Sequence, residues 1–176
     1  HGSTAWVAQL MWLYYRYSMD ETFLREQAYP FLKGAMRSYE AMLEWDGDTP
    51  SLPVSVSPEY RGDSMNAWGK NASFQLACVH FLCKALKKTS EILGTEFEPA
   101  WEKIEKNLPH ACLIGREGNE EIALWEGTAL ESSHRHHSHL AGIYPFDTLD
   151  QRDPRMAGII ARTIRQRVQK GMGEWL

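Results

Sequence analysis

Cysteine is scarce in this chain. Cys78, Cys83 and Cys112 are an odd set of three without zinc-ribbon or redox spacing, so they read as small core residues. No apolar run approaches the roughly 20 residues of a membrane span, and no signal-peptide pattern opens the chain. A basic excess is missing as well: 19 Lys and Arg face 23 Asp and Glu, for a net charge of −4, which argues against a nucleic-acid binder. There is no tandem repeat and no low-complexity segment. An initiator Met is lacking, since His1-Gly2-Ser3 leads at once into an aromatic stretch, and Gly173-Glu174-Trp175-Leu176 ends the chain without a polar tail. Domain termini are usually polar and exposed. The 176 residues are therefore expected to be part of a single domain, cut at both ends.

What is present points to helices. Apolar residues make up 43% of the chain, enough for a sizeable core. Trp6, Val7, Leu10, Met11, Leu13, Tyr14 and Tyr17 recur at helical spacing. Asp20 is placed to cap a second helix carrying Phe23, Leu24, Ala28, Phe31, Leu32, Ala35, Met36, Tyr39, Met42 and Leu43, which Pro30 should kink or restart. Asp46-Gly47-Asp48-Thr49-Pro50 breaks the chain, and residues 51–69 read as a long irregular loop of the functional or disordered kind. Further helices are predicted over 71–93, with Gly94 as the C-cap, over 98–108 and over 155–170. Residues 112–125 suit a small hairpin, and the segment from His134 to Tyr144 a further helix. The sum is a helical hairpin array, all-α, with long inter-helix loops. Seven Trp and seven Tyr serve mostly as core, although such rings also stack on sugars.

Two segments carry chemistry. In His134-Arg135-His136-His137-Ser138-His139, four of the seven histidines and an arginine fall within six residues. Imidazole titrates near neutrality, and guanidinium grips oxygen-rich ligands with a planar fork. Three readings are open: a metal site, although no His-Glu-x-x-His and no nearby Cys pair supports one; a structural network in which Glu126 or Glu131 binds imidazoles; or a substrate-binding wall. On a helix, Arg135 and His139 would share one face, as would His136 and His139, while His134 and His137 would share another. The second segment is Pro53-Val54-Ser55-Val56-Ser57-Pro58-Glu59, whose prolines stiffen the backbone. Glu59 is either a solvated loop residue or, held beside Tyr60 and Trp68, a general acid.

The order Ala5-Trp6, Phe23-Leu24, Ala28-Tyr29-Pro30, Lys33-Gly34-Ala35, Ser57-Pro58-Glu59, Trp125-Glu126, His134-Arg135-His136-x-Ser138-His139-Leu140 and Tyr144-Pro145 resembles the catalytic domain of the family 95 glycoside hydrolases. These are the 1,2-α-L-fucosidases and α-L-galactosidases. The resemblance spans essentially the whole chain and implies part of an (α/α)6 toroid of helical hairpins. It further implies an inverting reaction with Glu59 as general acid, Arg135 and His136 as sugar contacts, and Trp6 as a further lining residue. The base aspartate of the family follows a Gly-Trp-Ser segment beyond the last helix, and two helper asparagines precede His1, so this piece alone is expected to have no turnover. An oligosaccharide or glycan is the implied partner, with no cofactor, no metal, no nucleic acid and no membrane insertion, and the implied compartment is extracellular or periplasmic. The sequence departs from the family near Asn66 to Gln75, where an aspartate commonly opens the helix and Asn71 is the available cap, and at His137, which stands where an apolar residue is commoner. Other readings are another (α/α)6 carbohydrate-active enzyme, such as a phosphorylase whose Arg135 binds phosphate, and a non-catalytic carbohydrate-binding or structural helical domain.

Overall fold

The structure is a computed structural model that describes residues 2–132 and 134–170; the apolar end at 173–176 lies outside the described residues. Two compact units are present, one built from residues 1–50 with 78–108, the other from 51–77 with 109–176. The class is all-α, with strands limited among the described residues to two short antiparallel ribbons.

In the first unit, α1 (Gly2–Ser18) lies against a π-helical turn (Leu24–Ala28) and α3 (Tyr29–Glu40). The helix forms where its periodicity predicts, but it buries Ala5, Ala8, Trp12 and Tyr15, leaving Trp6, Val7, Leu10, Tyr14 and Tyr17 exposed. A helix apolar on nearly every side does not declare its inner face; small alanines permit the close approach. Asp20 caps α2 (Glu21–Phe23), its carboxylate accepting from the Phe23 amide at 2.9 Å. Pro30 has no N–H, and in a regular helix its ring would meet the carbonyl four residues back. The π turn, in which the Tyr29 amide donates to the Leu24 carbonyl, resets the ladder before it. Beyond α3, β1 (Glu44–Asp46) and β2 (Thr49–Ser51) form a hairpin around Gly47-Asp48, with Gly47 at φ +60°.

The long helix α4 (Ser73–Leu93) ends at Gly94, whose φ of +65° suits a left-handed cap. The following α5 (Pro99–Asn107) starts on its proline and buries Trp101 and Ile104. Cys78 and Cys83 are buried free thiols, pushed up to about 12 by loss of solvent.

In the second unit, residues 51–72 run irregularly, pinned where Ser55 and Gly69 exchange two backbone hydrogen bonds of 2.9 Å. The expected hairpin is β3 (Leu113–Ile114) paired with β4 (Glu121–Ile122). Helix α6 (Pro154–Gln169) packs on β4, its Thr163 hydroxyl accepting from the Ile122 amide at 2.9 Å. One core joins Ile122, Leu149, Ile159 and Ile160; another joins Tyr60, Ala72, Leu124, Trp125 and Leu130. Asn71 is not the cap of α4. Its side chain accepts from the Leu52 amide at 2.8 Å and donates to Glu126 at 2.6 Å, with the backbone at φ +53°.

The histidine segment forms no α-helix. Residues 134–137 are irregular, Ser138–Leu140 make one 3₁₀ turn, and further turns follow. Pro145 disfavours a helical residue before it, and the His134 carbonyl is taken by Arg167 at 2.8 Å instead of by a residue one turn on. The helical faces expected for the cluster therefore do not exist.

Candidate active site

Glu59 stands on a chain of tight turns. The Tyr60 amide donates to the Ser57 carbonyl at 2.9 Å, Gly62 to Glu59 at 3.0 Å and Ser64 to Arg61 at 3.1 Å. The segment is anchored from beneath by Tyr60, which is buried in the core with Trp125, and from the side by Arg61. That guanidinium pairs with Glu131 and lies 5.2 Å over the Trp125 ring. The Pro58–Glu59 and Tyr144–Pro145 peptides are cis.

The histidine segment is tied to this loop. Ser57 and Ser138, both buried, share a hydroxyl hydrogen bond of 2.7 Å. The tie brings together the residues singled out from sequence: Arg135 Nη2 donates to Glu59 Oε2, and His136 Nε2 lies 3.6 Å from the same oxygen. All three side chains remain about half exposed, at 41 to 52%, so a ligand can reach them. Val56, Pro58, Glu59, Tyr60, Arg61 and His134 line an open hollow of about 700 Å³, within the range of small-molecule sites.

The other three histidines of the segment are shifted toward the neutral form. His134 is held below the usual imidazole range by burial first, then by His136 and Arg135. His137 is lowered by burial and then by Arg167. His139, 1% exposed with its ring edge toward Tyr60, is pushed down to about 4, chiefly by burial. In all three the shift favours the neutral imidazole. The site therefore offers a carboxyl, a guanidinium and several imidazoles that give and accept hydrogen bonds, a set suited to hydroxyl recognition and proton transfer.

Among the described residues, Glu126 and Glu131 take partners other than imidazoles. Glu126 accepts from Asn71 and faces Lys70 at 3.8 Å, while Glu131 pairs with Arg61. Among the described residues, no group of three or more His, Cys, Asp or Glu converges as metal ligands. Trp6 belongs to the first unit, on α1, 41% exposed.

Sequence reasoning missed the supports: the Ser57–Ser138 bond, the Arg61 anchor, and Arg167, whose Nη2 reaches the His134 carbonyl at 2.8 Å and His137 Nε2 at 3.0 Å. One signal for Arg167 was available. It falls on the same helical stripe as Ile160 and Thr163, where a cation needs a partner.

Comparison with known proteins identifies the family of the chain. The profile of the glycosyl hydrolase family 95 catalytic domain matches residues 1–176. Alpha-L-fucosidase 2 of Arabidopsis thaliana is 29% identical over 184 residues, covering 96% of this chain and 21% of that protein. The chain thus spans about a fifth of the length of the curated relative it matches. With the match running through all of its residues, the chain belongs to glycosyl hydrolase family 95, within the family's catalytic domain.

Proposed function

We propose that the protein carrying this chain is an inverting, exo-acting glycosidase that removes terminal α-L-fucosyl or related α-L-galactosyl residues from oligosaccharides. Membership of a glycoside hydrolase family supports the reaction class, and the name of the Arabidopsis relative supports the sugar. The observation that carries the assignment of residues is the meeting of Glu59, Arg135 and His136 at one carboxylate oxygen beside an open hollow.

Glu59 protonates the departing glycosidic oxygen as the bond to the anomeric carbon breaks. Arg135 and His136 turn from Glu59 onto ring hydroxyls, leaving Oε2 to face the leaving group. Directional hydrogen bonds of this kind fix a sugar in a pocket. Water attacks from the opposite side, deprotonated by an aspartate that the family supplies outside this chain. Inversion requires that carboxylate to lie about 6.5–9.5 Å from the acid. The 176 residues then form part of one (α/α)6 catalytic domain, inactive in isolation, in a secreted or periplasmic enzyme.

The test is Glu59→Gln in the full-length protein, assayed without phosphate on an α-L-fucoside with a poor leaving group. A positioned acid contributes about 10²–10⁴-fold, so kcat should fall by that factor. An aryl fucoside, whose leaving group needs less protonation, should suffer less. A loss below tenfold on the poor leaving group removes Glu59 from the role.

A further inference from the structure

Residues 134–137 have no regular secondary structure of their own, so the placement of Arg135 and His136 depends on what holds the segment from outside. On the Ser138 side the hold is the buried hydroxyl pair with Ser57. On the other side it is Arg167. Helix α6 turns Ile159, Ile160, Thr163 and Arg167 inward. The first two pack in the core around Ile122, and Thr163 holds the Ile122 amide. Arg167, only 6% exposed, spends Nη2 on the histidine segment: it donates to the His134 carbonyl at 2.8 Å and lies 3.0 Å from His137 Nε2. A buried guanidinium is retained at a cost unless its hydrogen bonds are made, and these two bracket Arg135 and His136 in sequence. A guanidinium only donates, so His137 Nε2 is the acceptor of that contact. Within the segment, the His136 amide donates to His134 Nδ1 at 3.1 Å, so fixing the His134 carbonyl also fixes the backbone that carries His136.

We propose that Arg167 is a positioning residue for the sugar-binding wall, acting through the His134 carbonyl and His137 to aim Arg135 and His136 at the ligand beside Glu59. The proposal rests on the reading of Glu59, Arg135 and His136 as the glycosidase site. Arg167 takes no step at Glu59 in it, and the Glu59 loop has anchors of its own in the Tyr60 core and the Arg61–Glu131 pair. Removing the guanidinium therefore loosens sugar binding in ground and transition state alike, which appears in KM with kcat kept.

The experiment uses the full-length enzyme with Arg167→Met and Arg167→Lys, an aryl α-L-fucoside as substrate, and crystal structures of wild type and R167M. Expected is a KM at least tenfold higher in R167M with kcat within threefold. R167K, which still donates to the His134 carbonyl, should return to within threefold of wild type, and Arg135 should be displaced from Glu59 in the R167M crystal. An unchanged KM, a kcat loss at constant KM, or R167K as impaired as R167M overturns the proposal. If R167M does not fold, R167Q replaces it against R167K under the same criteria. A wild-type enzyme that cleaves no α-L-fucoside sinks the functional reading instead; the crystals then still decide the positioning, and Arg135 unmoved in R167M refutes it.

Discussion

Gly69→Ala should open the floor beneath the Glu59 loop. Gly69 is held from both sides, its amide and carbonyl bonded to Ser55 and its carbonyl also accepting from the Ser55 hydroxyl at 2.7 Å. A Cβ here would stand 2.6 Å from Trp125 Nε1 and nearer still to Cδ1 and Cγ, whereas ordinary contact starts near 3.4 Å. The indole is rigid, 3% exposed, and packed with Tyr60, Ala72, Leu124 and Leu130. Relief must come from displacing the ring or from breaking the bridge to Ser55. Overpacking costs about 1–3 kcal/mol, and one lost bridge bond adds about 1 kcal/mol, for a total of about 2–4 kcal/mol. Hydrogen exchange of residues 51–72 in the full-length protein reads this directly: protection at Ser55 and Gly69 should fall about 30- to 700-fold, tenfold for each 1.4 kcal/mol. In a Trp125→Leu background the same substitution should cost at least about 1 kcal/mol less, because the clashing ring is gone. Unchanged exchange in G69A, or strict additivity of the pair, would refute the steric argument.

Two further outcomes follow from buried polar groups. His139, at about 4 in the folded chain against about 6.5 when unfolded, favours the fold fully above pH 6.5. Between pH 6.5 and 4 the unfolded state binds the extra proton, so this contribution, about 3 kcal/mol at most, drains away as pH falls; His139→Phe should flatten the dependence of thermal unfolding between pH 7 and 4.5, and an unaltered slope would exclude His139 as its source. Asn71→Ala strands the buried Leu52 amide and places at φ +53° an L-residue whose methyl can make no local hydrogen bond, which should cost about 2–4 kcal/mol. Asn71→Gly relieves only the backbone part and should fall between, as read by exchange at the Leu52 amide; equal losses in the two variants would mean that the backbone angle contributes nothing.

Legibility followed the range of the interactions. Helix caps and breaks are set by neighbours within a turn, so Asp20 before α2, Pro30 after the π turn, Gly94 after α4 and the β3–β4 hairpin were all readable. The inner face of α1 was not, because periodicity cannot rank faces on a helix that is apolar nearly all round. Asn71 was readable as a cap by residue type, yet its side chain bonds Leu52 and Glu126. The helix expected after His134 failed because Arg167 competes for a carbonyl that no local pattern reserves.

The same division runs through the site. The sequence by itself determined which groups are available, a carboxyl on a proline-stiffened loop and a guanidinium among imidazoles, because residue type alone sets what a side chain can donate, accept or titrate. It also determined the family, since the order of motifs persists along the whole chain. Only the tertiary structure decided that Arg135 and His136 meet Glu59 while His139 is buried. Those partners lie more than 70 residues apart, and a segment without regular structure takes its geometry from distant anchors, here Ser57 and Arg167.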